Sequence, residues 1–561
     1  MLVVFLFWIV LSIVFLAFGE MAIMIWCYIT KEKDSHSIFD KFWVGMSFLG
    51  ALLLYASLFI PLNIWVLISI LAISFGYWLI NVSALKRLCR LIANSISRLT
   101  AFEKMIFALA TIVVLIYSLS VPLSYDAGLY HLQSMLWSEK FSIVTGLANL
   151  HGRLGFNSSF FLLSTALQYH PEIYEPFFCI NSAALLTLSF WIIYQITKTK
   201  NIGIKLVLAF ILFITTFTFG TELSSSSTDV LPNILTIYLL LSITLEPKGV
   251  LKRAFAISLI ASFCLTLKLS SVAILLLIVL TLFTVYKQKT GKLILPILLV
   301  GIFIAVPWLT RFVLLTGYLI YPFPAIDIFS VDWKIPIEMV TFEMESAYSW
   351  ARIPGIAPQT VLAMPLSEWV PIWWGNLSLY KKLLYCFAIA SPLMLIFYKF
   401  YQQKIQILIW AIAFAGVTYG LATAPDLRFS FGFIACSIAI PAIALLSNIK
   451  KFAPRLEKGL IFVLLTIQLI FLTYIAGSQV LFYQKHSAMP LVHLLYKPQP
   501  VTMIKSVRGI KFEEYQLGEY IIYKPIAVDQ CYDQNIPCTP YYNSNLELRG
   551  TKLKDGFRIK K

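Results

Sequence analysis

The chain is dominated by apolar runs of about twenty residues that recur from one end to the other, and this repetition leaves few folds open. A run of that length crosses the hydrocarbon core of a bilayer as one helix, because a helix satisfies its backbone polar groups internally. The runs lie near 1–28, 42–60, 64–85, 105–121, 177–196, 204–220, 230–245, 254–267, 271–286, 293–310, 382–398, 405–422, 431–447 and 459–476. About fourteen crossings are therefore expected. With 561 residues, 59% hydrophobic and 13% charged, and a mean hydropathy of +0.82, the expected fold class is an all-α polytopic transmembrane bundle. The first run has no basic leader and no small-residue cleavage site, so it reads as a retained helix. Glu20 interrupts it and is expected to face the bundle or a polar cavity.

The net charge of +17 does not point to nucleic acid. Lys and Arg stand in short clusters between the apolar runs, with no soluble basic domain and no recognition motif, so nucleic acid is excluded as a partner. Lys31, Lys33 and Lys41, and then the basic interfacial stretch from Lys86 to Lys104, mark cytoplasmic loops under the positive-inside rule. The predicted cytoplasmic loops carry more than twice the Lys and Arg of the short and medium outside segments. The N-terminus and the C-terminal region are then extracytoplasmic.

This alternation divides the chain into N-terminal spans (1–121), a first outside segment (122–176), central spans (177–310), a Trp- and Pro-rich outside segment (311–381), further spans (382–476) and a C-terminal outside domain (477–561). Short apolar and polar runs with turn signals make that last domain small and partly β, or α/β. Cys531 and Cys538 lie in it, and an extracytoplasmic setting makes them a disulfide. The other six cysteines lie in or beside apolar runs and read as small apolar residues.

The residues with chemistry concentrate in one stretch, YDAGLYHLQSMLWSEKFSIVTGLANLHGRLGFN, from Tyr125 to Asn157. It holds Asp126, Tyr130, His131, His151, Arg153 and Asn157. An ionised Asp just outside a membrane suits general-base work on a lipid-borne substrate, although Asp also caps helix N-termini for hydrogen-bonding reasons alone. Arg153 offers a planar fork to phosphate, or else an ion pair with Asp126 or Glu139 that holds the loop. Glu222 and Asp229 flank four serines in TELSSSSTD, readable as a hydrated pocket wall or as a turn with a capping Asp. Lys268 and Arg311 stand alone at outer span ends, as phosphate ligands or as snorkelling cations. Arg428, with Asp426, forms another outside pair. No P-loop, dinucleotide-binding glycine motif, zinc-protease motif or hydrolase elbow is present.

An apolar span ending in Tyr125-Asp126 and followed by Tyr130-His131 resembles the first extracytoplasmic loop of the GT-C superfamily of polytopic glycosyltransferases. More closely, YDAGLYH with NLHGRLGFNSS resembles a family of uncharacterised bacterial multipass membrane proteins. The resemblance implies a GT-C-like bundle in a bacterial cytoplasmic (inner) membrane, acting in cell-envelope biogenesis. It implies transfer of a sugar from a polyprenyl-phosphate donor to an extracytoplasmic glycan, lipid or protein acceptor, with Asp126 as the base. Tyr130 and His131 would complete the catalytic group. His151, Arg153, Asn157, Glu222, Asp229, Lys268, Arg311 and Arg428 would bind substrate. Ala127 stands where superfamily members often carry a second acid, and a divalent cation, the one cofactor left open, would take Asp126 and Glu222 as ligands. The rival readings are an O-antigen polymerase or ligase, and a transporter or flippase of lipid-linked glycans.

Overall fold

The computed structural model describes residues 1–120, 124–396, 404–446 and 509–560, with isolated positions between 466 and 496. The run near 459–476 lies largely outside the described residues. Helices α1 (Leu2–Thr30) and α2 (Ile38–Phe59) form an antiparallel pair. They approach closely because a Cβ at Gly19 would strike the Lys41 carbonyl, and one at Gly45 the Phe15 carbonyl. Next come α3 (Ile64–Ile80), α4 (Val82–Ser97) and α5 (Ala101–Tyr117). The segment between α5 and residue 176 holds α6 (Leu132–Lys140) and α7 (Ser159–Gln168), and the latter packs against α2. The stretch is thus a buried layer of the protein and not a solvated loop.

The central region comprises α8 (Ile180–Lys198), α9 (Ile202–Phe219), α10 (Val230–Leu245), α11 (Ala254–Leu267), α12 (Leu276–Lys287) and α13 (Ile294–Thr316). The segment between α13 and residue 379 carries α14 (Ile337–Arg352), α15 (Pro358–Ala363) and α16 (Leu366–Asn376). Helices α17 (Leu379–Ile396), α18 (Lys404–Thr423) and α19 (Leu427–Leu446) follow.

Among the described residues, eight helices are long and apolar enough to cross a membrane, or nine if the bent pair α3–α4 counts as one span. The protein is a multi-pass membrane protein, and the expected fourteen crossings are not reached among these residues. Length accounts for part of the difference. Helices α10 and α11 have 16 and 14 residues and are almost wholly buried. At 1.5 Å per residue they span about 24 and 21 Å, short of a hydrocarbon core of about 30 Å.

Glu20 faces the bundle, as the cost of burying its charge in an apolar run requires. Lys41 Nζ donates to its carboxylate at 2.8 Å and also reaches Asp34 at 2.8 Å. Beside this triad, Asp40 closes the capping box of α2 with Ser37. Its Oδ1 also accepts from Tyr238 OH at 2.8 Å and from Arg253 Nη2 at 2.6 Å, joining α2 to α10 and the start of α11.

Residues 509–560 form a small C-terminal domain with two antiparallel two-stranded sheets, β1 (Phe512–Leu517) with β2 (Tyr520–Pro525) and β3 (Leu546–Leu548) with β4 (Phe557–Ile559). Cys531 and Cys538 are joined in a disulfide within it, with Cα atoms 6.1 Å apart. Leu517, Ile522, Leu546 and Phe557 share an apolar cluster with Trp137, Leu147, Leu150, Leu154 and Leu315, so the domain packs on the segment around α6 and on the end of α13. At the contact Phe557 N–H donates to the Thr145 carbonyl at 2.9 Å, and a Cβ at Gly146, whose φ is +67°, would strike the Phe557 carbonyl.

Replacing Arg253 by Met strands the buried Asp40 carboxylate without its cation. Thermal unfolding of the purified protein should then report a loss of about 3–5 kcal/mol, much of it recovered by a second change, Asp40→Leu.

Candidate functional site

The site starts from local geometry at Asp126. Residues Ala127–His131 form a π-helical turn that runs into α6, with Asp126 as its N-cap. Such turns are rare and collect at functional sites, because the extra residue re-aims the side chains around it. Asp126 makes no side-chain capping hydrogen bond among the described residues. Its carboxylate instead meets Arg153 Nη1 at 3.4 Å and Arg428 Nη1 at 3.6 Å, with 28% of the side chain exposed. Of the two readings that Asp126 allowed, the cap is the one this geometry disfavours.

Asp126 opens on a cavity of about 1030 Å³. Tyr130, His131, Arg153, Asn157, Glu222, Asp229, Lys268 and Arg428 line it as well. Four separate parts of the sequence thus meet at one place: 125–157, 222–229, Lys268 at the end of α11, and Arg428 at the start of α19. Arg153 stands in the short 3-10 turn Gly152–Gly155. Its Nε reaches Glu343 of α14 at 3.4 Å, and its guanidinium lies over the Tyr130 ring. A Cβ at Gly152 would come within 2.6 Å of Glu343 Oε1, so a glycine is what admits the α14 carboxylate. Of the pairings expected for Arg153, the one with Asp126 is present, and the side chain also lines the cavity. Arg428 is shared further, at 3.1 Å from Asp426 and 3.8 Å from Asp229, and Lys268 is bonded to the other oxygen of Asp229.

The serine run serves the same wall. Ser225 Oγ donates to Glu222 Oε2 at 3.0 Å, and Ser226 Oγ shares a hydrogen bond of 3.1 Å with His131 Nδ1. His131 Nε2 is buried and has no hydrogen-bond partner among the described residues. Burial pushes the His131 imidazole down to about 3, so it is neutral at physiological pH. Burial opposes the charge of Asp126 too, but His131, Arg428, Arg153 and Lys268 outweigh it and hold the carboxyl below its ordinary value. With His131 neutral, the lasting contribution is that of the three cations. Burial, and then Arg428, push the Lys268 ammonium down to about 7 against the pull of Asp126 and Asp426. Burial raises Glu343, against the opposing effect of Arg153.

Two expected ligands lie elsewhere. His151 is buried against the Tyr541 ring behind the cavity wall, and burial followed by Arg153 pushes it down to about 3. Arg311 is buried in α13, where its Nε donates to Asn157 Oδ1 at 2.9 Å and its Nη1 to Ser57 Oγ at 2.7 Å. It neither snorkels to an interface nor lines the cavity. It fixes Asn157, whose Nδ2 also donates to the Trp308 carbonyl at 2.8 Å. The Asn157 side chain is therefore engaged at both ends and shapes the wall. Among the described residues no group of three or more His, Cys, Asp or Glu is arranged to hold a metal ion, and Asp126 and Glu222 both line the cavity.

The sequence reading missed Glu343, Lys381, Asp529 and Tyr541, all of which line the cavity. The last two come from the C-terminal domain, where Tyr125 OH is hydrogen-bonded to Asp529 and Gln530 Nε2 donates to the Tyr125 carbonyl at 2.9 Å. Tyr532 N–H donates to the Gly128 carbonyl at 2.8 Å, and a Cβ at Gly128 would lie 2.7 Å from the Tyr532 ring. No local pattern signals these partners, since the contacts join residues some 400 positions apart. Gly128→Val should push the Tyr532 segment away from the cavity and speed amide hydrogen exchange in residues 528–541 while leaving exchange in α10 and α11 unchanged.

No curated protein and no solved structure matches the chain. A family model does match, over residues 1–435, and its description is a domain of unknown function, DUF8201. The matched region includes Asp126, Arg153, Lys268, Glu343 and Arg428 but not the C-terminal domain that completes the cavity. By this match over most of its length, the chain belongs to the DUF8201 family.

Proposed function

We propose that this protein is a membrane glycosyltransferase of GT-C type. It would transfer a sugar from a polyprenyl-phosphate donor to an acceptor on the outer side of a bacterial cytoplasmic membrane, the side on which the N-terminus and the C-terminal domain also lie. The observation that carries the reading is the meeting of Asp126 with Arg153, Arg428 and Lys268 in one large, partly polar cavity beside the apolar helices. A base for an acceptor hydroxyl and cations for a departing phosphate are what such a transfer needs.

Carboxylates outnumber cations among the lining residues, so net charge does not draw phosphate in. The attraction is local and works by exchange. A donor phosphate takes the Arg428 and Arg153 guanidinium groups from Asp126, for which planar bidentate pairing suits it. Asp126, a weak base while both arginines hold it, then regains basicity next to the acceptor. It accepts the hydroxyl proton as the acceptor oxygen bonds to the anomeric carbon. The bond from that carbon to the phosphate oxygen breaks with its electron pair on the polyprenyl phosphate, whose charge Arg428 and Lys268 balance. One displacement inverts the anomeric centre.

A single feature favours a second reading, translocation of a lipid-linked glycan. The chain breaks at Lys268, between α11 and a 3-10 segment (Leu269–Leu275), inside the cavity wall. Discontinuous helices of this kind hold substrate in transporters. Transfer and translocation separate at Asp126, because only transfer needs its proton-accepting oxygen.

In proteoliposomes given a synthetic polyprenyl-phosphate sugar, Asp126→Asn should lower transfer by roughly 10²-fold or more, in protein that still folds into the membrane. Near-normal transfer by that variant would sink the mechanism. Discharge of Lys268 weakens the phosphate site, so donor affinity should fall as pH rises through about 7. Lys268→Arg should move that fall to higher pH.

A further inference from the structure

We propose that α4 lies flat in the membrane interface and binds the anionic phospholipid headgroups of that surface. This inference is independent of the reading of the cavity. Helix α3 is an apolar helix, and α4 leaves it at 89° after Asn81, so a helix that follows α3 across the bilayer turns into the plane of the membrane. Its 16 residues reach about 24 Å, too short for a span of about 30 Å, and charged groups interrupt it.

The residue order makes the helix two-faced. At 3.6 residues per turn, Lys86, Arg87, Arg90, Asn94 and Ser97 fall within an arc of roughly 120°. Leu85, Leu88, Cys89, Ile92 and Ile96 fall on the opposite side. Ala84 and Leu88 are buried against the protein, but Ile92 and Ile96 are exposed, and so are Lys86, Arg87 and Arg90. An apolar face that the protein leaves partly open, under a polar face whose charges are all cationic, is the pattern of a helix seated at the boundary of headgroups and acyl chains. There is no acid from Val82 to Phe102. The first one after it, Glu103, accepts from Thr100 N–H at 2.8 Å as the cap of α5. The cations of α4 thus have no acidic neighbour along this stretch of chain, and lipid phosphates are the complementary charge that a bilayer surface supplies.

The test uses the full chain in bilayer nanodiscs, with Cys89 and Cys386 changed to Ser and a bimane fluorophore attached at Ile92→Cys. Chain-labelled quencher lipids, phosphatidylglycerol or phosphatidylcholine, are titrated in. The expected result is quenching by both lipids, with phosphatidylglycerol effective at a much lower mole fraction. At about 1 kcal/mol per basic residue near the surface, the triple variant Lys86→Gln, Arg87→Gln, Arg90→Gln should weaken the interaction with phosphatidylglycerol about 100-fold and move half-quenching to correspondingly higher mole fraction. Roughly 1 M salt, where screening acts within about 3 Å, should remove the preference in the unaltered protein without any mutation. Equal quenching by the two lipids, a preference that survives both high salt and the triple variant, or quenching by aqueous iodide in place of lipid would overturn the proposal.

Discussion

Asp126 is held between two guanidinium groups, and most of the site's geometry follows from that ion cluster. Each partner comes from a different part of the chain. Arg153 ties Asp126 to Glu343 of α14, and Arg428 ties it to Asp229 and Asp426 at the ends of α10 and α19. Charges set among apolar helices are poorly screened, so each must stay close to its partner, and the helices that carry them are fixed along with them. The same rule operates at the other cluster, where Glu20, Lys41, Asp40 and Arg253 lock α1, α2 and α11 together. One cluster opens on a large cavity and the other is closed by Tyr238 and Ser242. Access to a cavity is what separates a candidate site from a structural lock.

The cavity has three kinds of wall. Membrane helices supply the apolar part, the serine run supplies hydrogen bonds to His131 and Glu222, and the C-terminal domain adds Asp529 and Tyr541. That domain is seated by close backbone approaches at Gly128 and Gly146, which a side chain at either position would block. The proposed transfer would use this layout, with a lipid-borne phosphate at Arg153, Arg428 and Lys268 and an acceptor near Asp126. The ion pairs then act as a resting state which the substrate exchanges.

Hydropathy read along the chain gives more crossings than the long apolar helices among the described residues, because it responds to apolar composition and is indifferent to what surrounds a helix. Helices α10 and α11 are apolar on every side since protein surrounds them, and they are too short to span. The segment 122–176 holds the short helices α6 and α7, whose packing hydropathy does not report. Residue chemistry was more telling than residue hydropathy. Asp126, Arg153, Lys268, Asp229 and Arg428 were recognisable one by one as charges that an apolar setting makes expensive, and they meet in one cavity. His151 and Arg311 satisfied the same criterion, and the structure shows each buried behind the wall.

The order of residues by itself determined that the chain is a multi-pass helical membrane protein with its chemistry concentrated around Tyr125–Asn157, because solvation costs act on each segment regardless of the others. It also determined the amphipathic character of α4, a property of spacing alone. Only the tertiary structure decided which charges pair. Coulomb interactions depend on distance in space, and Glu343, Asp529 and Tyr541 line the same cavity as Asp126 only after α14 and the C-terminal domain, hundreds of residues away, have packed there. It also decided that Asp126 turns away from a capping role toward the cavity. A π turn, two arginines and the approach of Tyr532 to Gly128 set that direction, and none of them is visible in the seven residues YDAGLYH.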